Sequence, residues 1–249
     1  MGGCHFKQIV LTAVCCLGLA HLAEGRCMLA DKYHEEGKTE AEIFALGVCA
    51  VQYNDDESQI KLAEIYMKGE KGVKKSEKDA LYMYQLSAEN GNAEAQVKLA
   101  ELLQTFDTSP ERRKELKNYL KKLKKTDNDS DGFSGEIQHP YTLLLLAAER
   151  IENKWYYPSL NRATPARASA LLSNYKISES KRQAAMKAAS HWKTRKLLEA
   201  AEEVLPATEY PEFEKRLKNN ATRSEAIAEL KGYLTGYVDK KKKERSLPL

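Results

Sequence analysis

Three segments of one kind, "LADKY" from Leu29 to Tyr33, "LAEIY" from Leu62 to Tyr66 and "LAELL" from Leu99 to Leu103, recur along the chain at spacings of 33 and 37 residues. A repeat of that period constrains the fold strongly, because each unit is one supersecondary element that buries its apolar side only against its neighbours. A second helical pattern lies between successive copies, so the unit is a helix pair. The predicted fold class is all-α: a superhelical solenoid of antiparallel helix pairs followed by a non-repeat helical C-terminal half. With 13 Gly and 7 Pro in 249 residues, the chain has few turn residues for a many-stranded sheet.

The middle unit shows how such a pair is punctuated. Leu62, Ile65 and Tyr66 share one face of a first helix, and Gly69 follows where a left-handed C-terminal cap is needed. Gly72 and Val73 carry the connection. Ser76, with Asp79 three residues later, imitates a capping box at the start of the second helix. Ala80, Met83, Tyr84, Ser87 and Ala88 then form a stripe whose small members let paired helices approach closely. Gly91 ends that helix and Asn92 is placed to cap the next.

With Tyr66, Gly69, Gly72-Val73, Ala80, Tyr84, Ala88, Gly91, Ala95 and Leu99-Ala100 in this order, the stretch resembles the Sel-one-like repeat, a relative of the tetratricopeptide repeat. The resemblance spans residues 26–105, with one well-formed unit at about 58–95 and degenerate units beside it. The first unit, from Cys27 to about Asn54, keeps Leu29, Ala30, Tyr33 and Gly37 but lacks the glycine-valine loop. Ala30, Ala63 and Ala100 stand where the family usually has glycine. The resemblance implies a non-enzymatic scaffold or adaptor whose stacked helix pairs hold a protein, a peptide or a cell-envelope component. The first helices of the pairs would line the concave side, which makes Glu64, Lys68, Gln96 and Lys98 the expected partner contacts.

Residues 1–25 read as a secretory signal peptide: Lys7, an apolar run from Ile9 to Ala20, then small residues at cleavage spacing. An uncleaved anchor is the alternative, but the run is about 12 to 14 residues long against the roughly 20 that a spanning helix requires. The expected location is the secreted fraction or the periplasm. Cleavage leaves Cys27 and Cys49 in an oxidising compartment, either as a disulfide or as two small unpaired core residues. The repeat puts them at the start of the first helix and late in the second helix of one hairpin. Secreted members of the family that the chain resembles also carry cysteine-bridged repeats.

From about residue 111 the repeat pattern is lost, and residues 106–239 read as a helical region packed on the repeats. "ERRKELKNYLKKLKK" is a basic amphipathic helix with Leu116, Tyr119, Leu120 and Leu123 as its apolar stripe. Its lysines form either a solvated face or a site for an acidic partner or anionic lipid. "YTLLLLAAERIENKWYY" suggests a buried helix whose "LLAAE" resembles a worn fourth copy. Pro165 opens another helix, further helices follow to about residue 239, and Trp155 and Trp192 are expected in the core. Residues 240–249 form a basic tail.

"DNDSDGFSGEIQ", residues 127–138, begins like a calcium loop, with Asp127, Asp129 and Asp131 as alternating carboxylates before Gly132 and Glu136 as a further ligand. It departs from that pattern at Ser134 and Gln138, and a solvated turn between helices is the simpler reading. A calcium-responsive binding module is therefore one alternative function. An envelope hydrolase with an unrecognised site in the C-terminal half is another. Only His34, His139 and His191 follow the leader, and no metalloprotease, nucleophile-elbow or phosphate-loop motif is present. No cofactor beyond calcium is expected. The formal net charge of +4, from 40 basic and 36 acidic residues spread along the chain, does not favour nucleic acid as a partner.

Overall fold

The computed structural model describes residues 23–126, 139–149 and 164–245, and every regular element within them is a helix. The helices fall into two compact units. The first contains α1 (Ala23–Glu35), α2 (Thr39–Gln52), α3 (Asp56–Lys68), α4 (Glu77–Glu89), α5 (Ala93–Phe106) and α6 (Pro110–Thr126). Each helix packs against the next, as antiparallel pairs in a stack require.

Local chemistry sets the ends of these helices. The Asp55 carboxylate accepts the Ser58 N–H at 2.8 Å to start α3. Gly69 ends it in the left-handed region (φ 69°), with its N–H on the Ile65 carbonyl. A Cβ on Gly69 would lie 2.9 Å from the Cβ of Lys75, so sterics and dihedral both demand glycine there. Ser76 Oγ accepts the Asp79 N–H at 3.3 Å, which is one half of the expected capping box. The Ser76 N–H goes instead to the Tyr66 carbonyl at 2.9 Å and closes the hairpin between α3 and α4. Asn92 caps α5 through the Ala95 N–H at 3.1 Å.

The small-residue positions lie where helices touch. Ala30, Ala63 and Ala100 are all buried, as are Ala80, Met83, Tyr84, Ser87 and Ala88 along α4. Leu62 and Leu99 are buried as well, whereas Leu29, their counterpart in the first pair, is 37% exposed. Cys27 and Cys49 form a disulfide between α1 and α2, with their Cα atoms 5.6 Å apart.

The first unit runs further than the repeat pattern. α6, assigned above to the non-repeat half, belongs to it. It lies against α4 through Arg112 and Glu77 (2.7 Å), through Lys78 and Glu115 (2.8 Å), and through the Tyr119 hydroxyl on the Lys78 carbonyl (2.9 Å). The Arg112 guanidinium also stacks over the Phe106 ring, 4.5 Å from its centroid.

The second unit contains α7 (Pro140–Ala148), α8 (Thr164–Asn174), α9 (Glu179–Val204), α10 (Tyr210–Lys218) and α11 (Arg223–Arg245). α7 packs against α8 and α9, burying Leu143, Leu144, Leu146 and Ala147, with Trp192 of α9 also in the core. Pro165 occupies the first turn of α8. The end of α9 meets α10 and α11 around Ala201, Leu205, Phe213, Leu217, Ala226, Leu230 and Leu234. Trp155 lies outside the described residues.

Candidate functional site

The polar side chains of the first unit are arranged periodically. Gln59 and Gln96, 37 residues apart on α3 and α5, are both buried. Gln59 Nε2 donates to the Ala50 carbonyl at 2.9 Å, and Gln96 Nε2 donates to the Ala88 carbonyl at 3.2 Å. Each amide thus joins the first helix of a pair to the last turn of the preceding helix by adding a donor to a carbonyl there; that of Ala88 also accepts the Gly91 N–H at 3.0 Å. Gln59 also donates to Asn54 Oδ1 at 2.8 Å. Asn54 and Asn90 exchange amide hydrogen bonds of 2.9 and 3.0 Å across successive junctions. Asn54 itself has φ 51° and stands 37 residues before Gly91, whose φ is 95°, at the next junction. Asparagine is the side chain that tolerates this region best.

A second periodic set lies on the first helices. Lys61 Nζ is 2.9 Å from Asp31 of the previous pair and 3.2 Å from Glu57 one turn earlier on its own helix. Lys98 Nζ is 2.6 Å from Glu64 of the previous pair and 3.7 Å from Glu94 of its own helix. Each lysine therefore bridges two carboxylates, one of them across the joint between pairs. The signal stands in the sequence: an acidic residue follows Leu-Ala in all three copies, and Glu57 with Lys61 recurs 37 residues later as Glu94 with Lys98.

The first pair has a polar knot of its own. Buried Glu42 of α2 receives the ammonium of Lys71, whose Nζ also lies 3.2 Å from Nδ1 of His34 at the end of α1. At the next joint, Asn92 Nδ2 donates to Asp56 Oδ2 at 2.5 Å and Ser87 Oγ donates to the Asp56 carbonyl. Burial lifts the Asp56 carboxyl above its ordinary range, against the Asn92 hydrogen bond, which lowers it. Burial likewise pushes the Tyr84 and Tyr119 hydroxyls up.

The expected partner contacts are thus distributed unevenly. Glu64 and Lys98 are brought together, and each neutralises the other. Gln96 is not a surface residue: it is 1% exposed and its amide is committed to the Ala88 carbonyl. Its polar character suggested solvent, but the buried carbonyl at the end of α4 is what it serves. Lys68 is exposed, 3.5 Å from Glu70. Of the repeat residues, Gly69, Gly72 and Gly91 all have positive φ.

Asp127, Asp129, Asp131 and Glu136 lie outside the described residues. Among the described residues, no group of three or more His, Cys, Asp or Glu is arranged to hold a metal ion, and no helix is long and apolar enough to cross a membrane. No protein-family model, no curated protein and no solved structure matches the chain.

Proposed function

We propose that the chain is a non-enzymatic scaffold of the secreted or periplasmic fraction, of the Sel-one-like kind, which offers the surface of its stacked helix pairs to a protein or peptide. The observation that carries this reading is the periodic use of polar side chains in the first unit. Gln59 and Gln96, Lys61 and Lys98, and the Asn54 and Asn90 amides all join one helix pair to the next. Such joints hold a row of helices in fixed register, and a rigid row binds with little ordering cost. The disulfide between Cys27 and Cys49 supports passage through an oxidising compartment.

The test is photo-crosslinking from Lys68 and from an exposed position of the second unit such as Lys187, using the oxidised chain and the proteins of the same compartment. A discrete partner captured through the first unit supports the scaffold. Turnover of a cell-wall polymer by the purified chain, with no partner retained, would overturn it. N-terminal sequencing of the exported protein should begin near Arg26, and recovery of an uncleaved chain inside the cell would contradict the location.

A further inference from the structure

The joints that neutralise the first helices leave other charges of the first unit unmatched, and on α6 these form a row. Lys114, Lys117 and Lys121 on α6 are exposed and have no hydrogen-bond or ion-pair partner among the described residues. At i, i+3 and i+7 they line one face, over a rise of about 10 Å. The other charges of the first turns of α6 are engaged: Glu111 with Ser109, Arg112 with Glu77, Arg113 with Asp107, Glu115 with Lys78. The apolar side chains Leu116, Tyr119 and Leu120 are half-buried on the opposite side, and the Tyr119 hydroxyl is held by the Lys78 carbonyl. The lysine row is therefore presented on a helix fixed from behind.

The geometry points to this row, Lys114, Lys117 and Lys121, as a docking surface for an acidic helical segment of a protein partner, with carboxylates at matching i, i+3 or i+4, and i+7 positions. The assignment rests on the scaffold reading and names the surface and partner chemistry for it. Charge complementarity selects the occupant. A bilayer surface is the less suitable match, because interfacial helices bury an apolar face beside their basic one, and the apolar face of α6 is turned into its own unit. Nor does one short row resemble the broad basic footprint of a nucleic-acid binder. An acidic helix requires neither; it needs charges spaced by one helical turn on a rigid partner.

Fluorescence anisotropy with a labelled fifteen-residue peptide tests this, its glutamates set at i, i+3, i+7 and i+10 on an alanine and glutamine background. A peptide of the same composition with scattered glutamates serves as comparison. The oxidised chain should bind the ordered peptide more tightly than the scattered one, and the binding should weaken as salt shortens the Debye length below about 8 Å. The variant K114E/K117E/K121E should weaken it about a hundredfold, while K176E/K181E/K187E, with the same change in net charge, should leave it within about twofold. Circular dichroism verifies that both variants keep their helices. Equal loss in the two variants overturns the assignment, as does binding of phosphatidylserine vesicles or duplex DNA in place of the peptide. If the partner captured by crosslinking is retained by K114E/K117E/K121E, the lysine row is excluded and the scaffold reading stands; failure to capture any partner counts against the scaffold itself.

Discussion

The helix pairs of the first unit and the three-helix corner of the second solve the same packing problem with different materials. α3 and α5 meet the preceding helices through alanines, buried amides and lysines shared between carboxylates. α9, α10 and α11 meet through leucines and Phe213, with polar contacts such as Arg216 to Glu229 and Tyr233 to Glu209 on exposed groups at the rim. Apolar burial is strong but indifferent to register, whereas a buried amide facing one particular carbonyl accepts only one alignment. The first unit therefore spends polar groups on alignment, as a row of helices must if its surface is to have a fixed shape.

Substitutions on each side of this comparison should differ in size and character. Phe213→Ala should have the largest effect, removing about 3 to 5 kcal/mol from the α9 to α11 corner; hydrogen exchange of those helices measures it. A loss below about 1 kcal/mol would mean the corner is not held by its apolar cluster. Next comes the Cys27 to Cys49 bond, which closes a loop with a sequence separation of 22. Its reduction should cost about 3 kcal/mol. Exchange should rise first in α1, whose described side chains bury only Ala30.

Gln96→Leu keeps the bulk but removes one donor from the Ala88 carbonyl, which retains the Gly91 N–H at 3.0 Å, so it should cost about 0.5 to 1.5 kcal/mol. The same change at an exposed residue of α10, such as Lys215, should be near neutral. Lys98→Met should cost about 0.5 kcal/mol, and a double-mutant cycle with Glu64→Gln should show that coupling fading with salt. The smallest effect belongs to alkaline pH. Burial raises the Tyr84 and Tyr119 hydroxyls above their ordinary 10.0, so the unfolded chain loses these protons first. Their contribution is present below pH 10 and is lost as pH rises beyond it. Tyr119→Phe should make the fall of the melting temperature above that pH shallower.

The parts of the fold legible in the sequence were those where one residue type is nearly obligatory. Gly69, Gly91, the Ser76 and Asn92 caps, and the small stripe of α4 could be read because backbone sterics and capping leave few substitutes. The place of α6 in the first unit was hidden because α6 is so rich in lysine that its half-buried Leu116, Tyr119 and Leu120 make a thin stripe, and because Asp107 to Ser109 lack the glycines of the earlier loop. Gln96, which like Gln59 is buried, reads as a surface residue for a different reason. Periodicity separates polar from apolar positions, and it cannot tell a solvated amide from one that serves a buried carbonyl. Only their common spacing of 37 with the Leu-Ala copies could have exposed them.

Zero-length carbodiimide crosslinking with mass spectrometry tests the stacking of the helix pairs most directly, because it joins a lysine to a carboxylate only when the two are in contact. Bonds are expected between Lys61 and Asp31 and between Lys98 and Glu64, which span neighbouring pairs, and between Lys78 and Glu115, which joins α4 to α6. Recovery of within-helix products such as Lys196 to Glu199 without those three would contradict the stacking.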